Sequence, residues 1–274
     1  MKLIVASKKN ILFLLLCIVV VSACLRPAAE NGVVQTQEDP IMSAPTRDNA
    51  KWLWMGGTWD IKDGRATEIR GAPVIWNYHE LMNYNSLVSL PEKNESPFTE
   101  MSSKFSLSNA KSNVVEVILA FALQSPNYRD FFAVKFSLAK DGVQTISLLR
   151  SRLLDETLPS TVKKNYAIET LFTADCAIEF NKDYEVRIVK SSGAWHETLK
   201  KNCDAITLYV DSKKIFDAKL PAYDVRGDFA IGARGASISI DYVTVKNRNA
   251  VVFTDDFSKN SIFIQTIKAT EVRK

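Results

Sequence analysis

The sequence of 274 residues lacks the motifs and residue patterns that identify several common classes of protein. Four cysteines are too few for a disulfide-rich scaffold. The chain has only two histidines, and its histidines and cysteines do not stand at the spacing of a zinc site. The phosphate-binding patterns G-x-G-x-x-G and G-x-x-x-x-G-K-S/T do not occur. No apolar run reaches the roughly 18 residues that a spanning helix needs. These absences argue against a zinc enzyme, a nucleotide-binding domain and a transmembrane helix.

The charge is nearly balanced once the start of the chain is set aside. The formal net charge is +4, but Lys2, Lys8 and Lys9 lie in the first 24 residues, which contain no acidic residue. The remainder carries 32 basic and 31 acidic residues. Because binding to nucleic acid depends on neutralising phosphates with basic residues, the composition predicts no nucleic-acid partner.

The first 24 residues have the organisation of a secretory signal. The lysines precede an unbroken apolar run of 11 residues, from Ile11 to Val21, and Ser22, Ala23 and Cys24 follow. This segment resembles the lipobox of bacterial lipoproteins, in which the cysteine is lipidated and becomes the new N-terminus. The resemblance implies a signal peptide over residues 1–23 and a lipid on Cys24. An ordinary signal peptide with a chance cysteine is the alternative.

The predicted lipid on Cys24 indicates the location of the protein in the cell. Each buried CH₂ contributes about 0.8 kcal/mol, so two or three acyl chains hold a protein stably on a membrane. Leu25, rather than Asp, follows the cysteine. By resemblance to enterobacterial sorting, this favours the outer membrane of a bacterial envelope and leaves open whether the protein faces the periplasm or the cell surface.

Residues 24–50 are predicted to be a disordered tether, because they contain three prolines and no aromatic residue. Aromatic residues begin at Trp52, and residues 51–274 are therefore expected to form the folded domain.

From Trp52 onward, apolar and polar residues alternate in the way typical of half-buried strands. The clearest runs are 132–138, 184–188, 206–210 and 238–242. The phase slips at Val243, which predicts a bulge. Turn signals predict hairpins at 63–64 and 141–142 and loops at 125–127 and 191–193, and residues 153–167 could hold a helical turn. Roughly a dozen strands on one core predict a sandwich or a barrel.

Four segments, in chain order, resemble the concanavalin A-like lectin/glucanase jelly roll in its laminin-G-like form. They are Gly57–Gly64, Val117–Phe136, Tyr184–Ile188 with Leu208–Asp211, and Gly227–Gly232 with Ile240–Val245. The resemblance implies an all-β, two-sheet antiparallel jelly-roll sandwich. One segment is out of order, since Phe253–Ser258 resembles the strand that usually begins this fold. We expect residues 250–274 to close the fold; the alternative is the start of a second domain.

The resemblance also implies a disulfide. It places Cys176 and Cys203 next to strands in the same half of the sandwich, and disulfides persist beyond the inner membrane. A Cys176–Cys203 bridge is therefore predicted, with two separate thiols as the alternative.

The residues predict binding rather than catalysis. Glycosidases of this fold carry an E-x-D-x-(x)-E strand, which places two carboxylates on one face. No such run occurs, and Glu179, Asp183 and Glu185 do not match its spacing. Neither His79 nor His196 is accompanied by a G-x-S-x-G motif. We therefore assign no catalytic residue, no metal ligand and no cofactor, although the resemblance allows a calcium ion on Asp255 with Asp256 or on Asp204 with Asp211.

Exposed aromatic side chains are the remaining candidates for ligand contact. Trp76, Tyr78 and Trp195 lie among polar residues, whereas Trp52, Trp54 and Trp59 are expected in the core. The predicted function is a membrane-anchored, non-catalytic module that binds a glycan or an envelope or matrix protein. The alternatives are a sugar-processing enzyme of a related jelly-roll family and a structural envelope lipoprotein.

Overall fold

The computed structural model describes residues 51–54, 56–69, 81–89, 97–124, 130–139, 144–155, 157, 166–257 and 263–265. The lipobox, the predicted tether and the turn and loop signals at 125–127 and 141–142 lie outside these residues, as does most of the predicted helical turn at 153–167. Within them, no helix is long and apolar enough to cross a bilayer.

The described residues are almost entirely strands, with one short 3-10 turn at Leu81–Asn83. In chain order the strands are β1 Trp52–Trp54, β2 Trp59–Lys62, β3 Arg65–Glu68, β4 Asn85–Ser89, β5 Glu100–Ser108, β6 Val114–Leu123, β7 Phe131–Ala139, β8 Gln144–Leu153, β9 Tyr166–Asp175, β10 Asp183–His196, β11 Lys201–Val210, β12 Lys213–Lys219, β13 Asp228–Arg234, β14 Ser237–Asn247, β15 Ala250–Asp255 and β16 Phe263–Gln265.

The strands form two sheets. The first has the order β16-β1-β4-β13-β6-β7-β8-β9, and the second has the order β12-β11-β10-β5-β14-β3-β2, with β15 paired to β14. Neighbouring strands are antiparallel except for the β1–β16 pair, which is parallel. The all-β, two-sheet antiparallel sandwich that the sequence predicts is confirmed.

The core lies between the sheets, but the first sheet is apolar on both faces. Alternate residues of β6 belong to two different buried clusters: Val117 and Leu119 pack in the main core, while Ile118 and Ala120 pack in a smaller cluster on the outer face. This explains the nearly continuous apolar sequence of β6, since a strand that is buried on both faces has no polar phase. By contrast, β10 alternates strictly from Tyr184 to Ile188, because its outer face meets solvent.

One acidic side chain is buried on that outer face of the first sheet. Glu116 pairs with Arg234 and, at 3.2 Å, with Lys135, and it accepts a 3.1 Å hydrogen bond from the Tyr84 hydroxyl. The two cations lower the pKa of Glu116 against the opposing effect of burial, which is the larger single influence. The cluster satisfies its own charges, so we interpret it as structural.

The predicted turns are partly right. Asp63 and Gly64 connect β2 to β3 with φ of 53° and 70°, as a type I′ hairpin turn requires. The predicted bulge is confirmed, because the β14–β5 register shifts between Ile240 and Tyr242. The predicted loop at 191–193 is wrong: these residues continue β10, and Gly193, at φ 85°, only bulges the strand. The extra pairing with β11 overrides the local turn signal.

The last described strands of the chain belong to the same two sheets as the rest of the domain. The expectation that residues 250–274 as a whole close the fold stays a prediction. β15 pairs with β14, and β16 pairs with β1. The Trp52 indole nitrogen donates a 2.8 Å hydrogen bond to the buried Asp255 carboxylate, and the Trp52 ring stacks on Phe257 at 5.9 Å. The segment Phe253–Phe257, which resembles the usual first strand of this fold, therefore packs against β1, the first strand of the domain.

The predicted disulfide is wrong, since Cys176 and Cys203 are both free thiols. Cys176 follows β9 in the first sheet, and Asp211 and Lys213 are the charged groups that influence its thiol. Cys203 lies in the second sheet, eight residues before Asp211 along β11, which is on the order of 25 Å at about 3.3 Å per residue. A disulfide needs Cα atoms within about 7 Å, so the two thiols cannot be bridged.

Candidate ligand-binding groove

One end of the sandwich brings together strand ends that are far apart in sequence. β6 finishes beside the start of β13, with Leu123 opposite Asp228, and the start of β7 pairs with the end of β8. A groove of about 480 Å³ opens there, between the ends of strands of the first sheet and the loop before β13. Its lining residues are Ala122, Gln124, Asp130, Phe132, Arg150, Ala222, Tyr223, Asp224, Val225 and Arg226.

A buried ion pair holds the loop that forms one wall of this groove. The Lys190 ammonium lies 3.5 Å from the Asp204 carboxylate and donates a 2.7 Å hydrogen bond to the Val225 carbonyl. The same carboxylate accepts a 2.7 Å bond from the Val225 amide, and the Asp204 main chain bonds Ala222 and Leu220 at 2.8 Å. Because Lys190 and Asp204 are both buried, the loop between β12 and β13 is fixed by bonds that water does not weaken.

The apolar part of the groove ends in an exposed aromatic ring. Tyr223 is 60% exposed, the largest value among the exposed large hydrophobic side chains of the described residues. Phe132, at the floor, is buried. An exposed aromatic ring beside an apolar floor can stack on the C–H face of a sugar, because those C–H bonds are apolar while the hydroxyl groups point sideways.

Polar groups surround this ring. The Asp224 carboxylate and the Arg226 guanidinium form a 2.6 Å ion pair, and hydrogen bonding to Arg226 lowers the pKa of Asp224. The Gln124 side-chain amide donates a 2.8 Å bond to the Arg226 carbonyl, and the Gln124 main-chain amide donates to Asp130 at 3.0 Å. These bonds fix the polar rim before any ligand arrives.

Arg150 differs from the other charged lining residues. It lies opposite Phe132 in the β7–β8 pairing, and its guanidinium lies over the Phe132 ring at 5.7 Å from the ring centre. Its Nε is buried and has no hydrogen-bond partner among the described residues.

Next to the groove loop, the first residue of β13 is a buried acid. Asp228 is 2% exposed, and its Oδ1 has no hydrogen-bond partner in the described part of the chain. Burial raises the pKa of Asp228 to about 6. A carboxylic acid that titrates near neutral pH is the type of group that general acid catalysis uses, but this one is shielded from the groove by its burial.

Of the aromatic residues predicted to contact ligand, only Trp195 can be placed. It lies near the tip of the β10–β11 hairpin, at the same end of the sandwich as the groove, and it is 47% exposed. Its carbonyl accepts a 2.6 Å bond from the Lys219 ammonium. Trp195 does not line the groove. Trp76 and Tyr78 lie outside the described residues.

The predicted core tryptophans agree with the structure where it describes them. Trp52 is fully buried and Trp59 is 8% exposed. The Trp54 side chain lies outside what the structure describes.

The acidic residues that were candidates for catalysis or calcium binding form ion pairs and hydrogen bonds with other parts of the protein. Asp183 is exposed and receives a 2.7 Å hydrogen bond from Arg65, which lowers its pKa. Of the possible calcium ligands, Asp204 belongs to the buried ion pair and Asp255 to the Trp52 contact. Within the described ranges, no group of three or more His, Cys, Asp or Glu side chains could hold a metal ion.

The sequence analysis missed both Tyr223 and Arg150, although each left a signal. Tyr223 stands between Pro221 and Asp224 in a turn-rich segment, the kind of position in which an aromatic residue is exposed. Arg150 continues the apolar phase of Ile146 and Leu148 in β8, so a charged residue stands where the alternation calls for a buried apolar one.

Comparisons with known proteins identify the fold. No family model and no curated protein matches the chain. Among solved structures, the carbohydrate-binding module CBM66 from Bacillus subtilis is 11% identical, with a TM-score of 0.50 over 73% of this chain and 98% of that module. A legume lectin-like domain from Entamoeba histolytica is 12% identical, with a TM-score of 0.41 over 70% of this chain and 88% of that one.

A β-1,3-1,4-glucanase derived from a mouse hindgut metagenome is 7% identical, with a TM-score of 0.38 over 69% of this chain and 82% of the glucanase. At these identities the likeness concerns the fold alone. The chain therefore has the concanavalin A-like jelly-roll fold that its sequence resembles.

Proposed function

We propose that this chain is a non-catalytic glycan-binding module, held on the bacterial envelope by a lipid on Cys24. The groove carries the proposal, because its lining combines the exposed Tyr223 ring, the buried Phe132 ring and several polar groups that are held by hydrogen bonds. Small-ligand sites have this composition, with an apolar wall for area and a few oriented polar groups for specificity.

The fold makes glycans the first ligand class to test. The Bacillus subtilis structure that spans 73% of this chain is named a carbohydrate-binding module. A protein ligand from the envelope or matrix is the runner-up within the binding class. We keep Trp195 as a second contact in the proposal, because its exposed ring lies at the same end of the sandwich.

The enzyme alternative depends on one observation, the raised pKa of Asp228. A glycosidase needs a second carboxyl within about 5–10 Å and access for a substrate. The burial of Asp228, which does not line the groove, opposes this role. If the wild-type chain hydrolyses a bound glycan and Asp228→Asn abolishes this hydrolysis, the enzyme alternative would be favoured.

The proposed anchoring takes the protein to the outer membrane. The N-terminal signal, the lipobox resemblance and Leu25 support this location.

The test is a glycan array probed with the full chain in detergent, followed by titration of the best ligand. We expect Tyr223→Ala to weaken binding about tenfold, because loss of an aromatic stacking contact costs roughly 1–1.5 kcal/mol. Tyr209→Ala is the matched control, since Tyr209 packs against Arg187 on the outer face of the second sheet, away from the groove. An array without ligands, or equal loss in both variants, would refute the proposal.

A further inference from the structure

Arg150 is a partly buried cation in the lining of the groove. Its side chain is half-buried at the end of β8, and its Nε is fully buried without a hydrogen-bond partner among the described residues. In the described part of the chain, no carboxylate pairs with it. Its one contact of note is the Phe132 ring. Burial of a cation without a counter-charge is unfavourable, so such an arrangement calls for an explanation.

The neighbouring charges do not provide that counter-charge. Asp224 forms an ion pair with Arg226. Asp204 forms an ion pair with Lys190 and accepts a hydrogen bond from the Val225 amide. Asp130 also lines the groove, where its carbonyl accepts from Gln124, but it forms no ion pair with Arg150. Of the two arginines that line the groove, Arg150 is therefore the one without a carboxylate partner in the described part of the chain.

The guanidinium group restricts what that partner can be. It is planar, always charged and presents its N–H donors as a fork that matches two oxygens of one anionic group. Packing on Phe132 fixes the plane of the fork, which lowers the entropy lost on binding. The Tyr223 ring lies in the same groove, so a ligand that satisfies both residues combines a sugar ring with an anionic oxygen pair.

We propose that the groove selects an anionic sugar, whose carboxylate or sulfate group binds the guanidinium of Arg150. This inference rests on the proposed glycan-binding function and deepens it from glycans in general to acidic glycans. The nearly balanced charge of the residues after position 24, 32 basic against 31 acidic, does not oppose it, because the recognition is local.

The experiment compares three probes by isothermal titration with the full chain in detergent: trigalacturonic acid, galactotriose, and a sulfated galactotriose. We expect an acidic probe to bind at least tenfold more tightly than galactotriose. We expect Arg150→Gln to remove that difference, since a charge-assisted hydrogen bond corresponds to about 10- to 100-fold in affinity. Arg150→Lys, which keeps the charge and loses the fork, should retain part of the preference.

Arg152→Gln is the matched control, because Arg152 is an exposed arginine two residues further along the same strand and does not line the groove. It should leave the preference unchanged, and melting temperatures verify that every variant is folded. Whichever acidic probe binds more tightly, trigalacturonic acid or the sulfated galactotriose, shows whether the groove prefers a carboxylate or a sulfate group.

Two results separate this inference from the proposed function. Equal binding of neutral and acidic probes, unaffected by Arg150→Gln, overturns the acidic preference and leaves glycan binding intact. A glycan array without ligands overturns the glycan function itself. Equal loss in Arg150→Gln and Arg152→Gln overturns the specific role of Arg150.

Discussion

The stability of the domain should depend on pH in part through the buried side chain of Asp228. Burial raises its pKa from 3.8 to about 6, and its Oδ1 has no partner among the described residues to compensate for the charge. We expect Asp228→Asn, a neutral side chain of the same shape, to stabilise the folded protein at neutral pH.

The magnitude follows from the difference between the folded and unfolded pKa. The folded state binds the Asp228 proton more tightly, so the contribution of Asp228 to stability is greatest below pH 4, falls as the pH rises to about 6, and is level above that. A difference of about two units corresponds to roughly 3 kcal/mol between these limits. Asp228→Asn should remove this loss, and the variant should therefore gain up to about 3 kcal/mol over wild type at pH 7.5 and almost nothing at pH 4.

The assay is denaturant unfolding of the full chain in mild detergent, followed by tryptophan fluorescence at pH 4, 5, 6 and 7.5. The measured quantity is the difference in unfolding free energy between variant and wild type, in which the other titrating groups cancel. Asp60→Asn, at an exposed position of β2, is the control for the exchange of a carboxyl group for an amide. A difference for Asp228→Asn that does not change with pH would refute the reasoning.

Three further outcomes are expected. Lys190→Met should destabilise the fold by about 3–5 kcal/mol in denaturant unfolding, because it leaves the fully buried Asp204 charge unpaired; Lys190→Met combined with Asp204→Asn should recover part of the loss, and no recovery would mean that the pair is not coupled. Alkylation of the unfolded, unreduced protein, mapped by mass spectrometry, should label both Cys176 and Cys203, whereas a disulfide-linked peptide would contradict the structure. Cys24→Ser should abolish palmitate labelling and membrane fractionation, and a variant that still incorporates palmitate would disprove the lipoprotein interpretation.

Much of the fold was predictable because strands leave a local signal. A strand with one face in the core must alternate apolar and polar residues, and β10, β11 and β14 do so over the segments that predicted them. The Asp63–Gly64 turn was predictable for the same reason, since its two positive φ angles favour those residues. The loop at 191–193 was mispredicted because its pairing partner, Ala205 to Cys203, lies outside any local window.

The groove depended on tertiary structure. Its residues come from β6, β7, β8 and the loop before β13, and only the order of strands in the first sheet makes β13 a neighbour of β6. Arg150 and Tyr223, separated by more than 70 residues, therefore share one cavity. Alternation tells which face of a strand is buried but not which strands are adjacent, and adjacency decides the site.

The two cysteines illustrate the same division. The sequence by itself determined that they flank strands of one domain, because the strand pattern is local. Only the tertiary structure decided that β9, which Cys176 follows, and β11, which contains Cys203, belong to different sheets. Separation in space depends on sheet order and strand direction, which arise from packing the whole chain around one core.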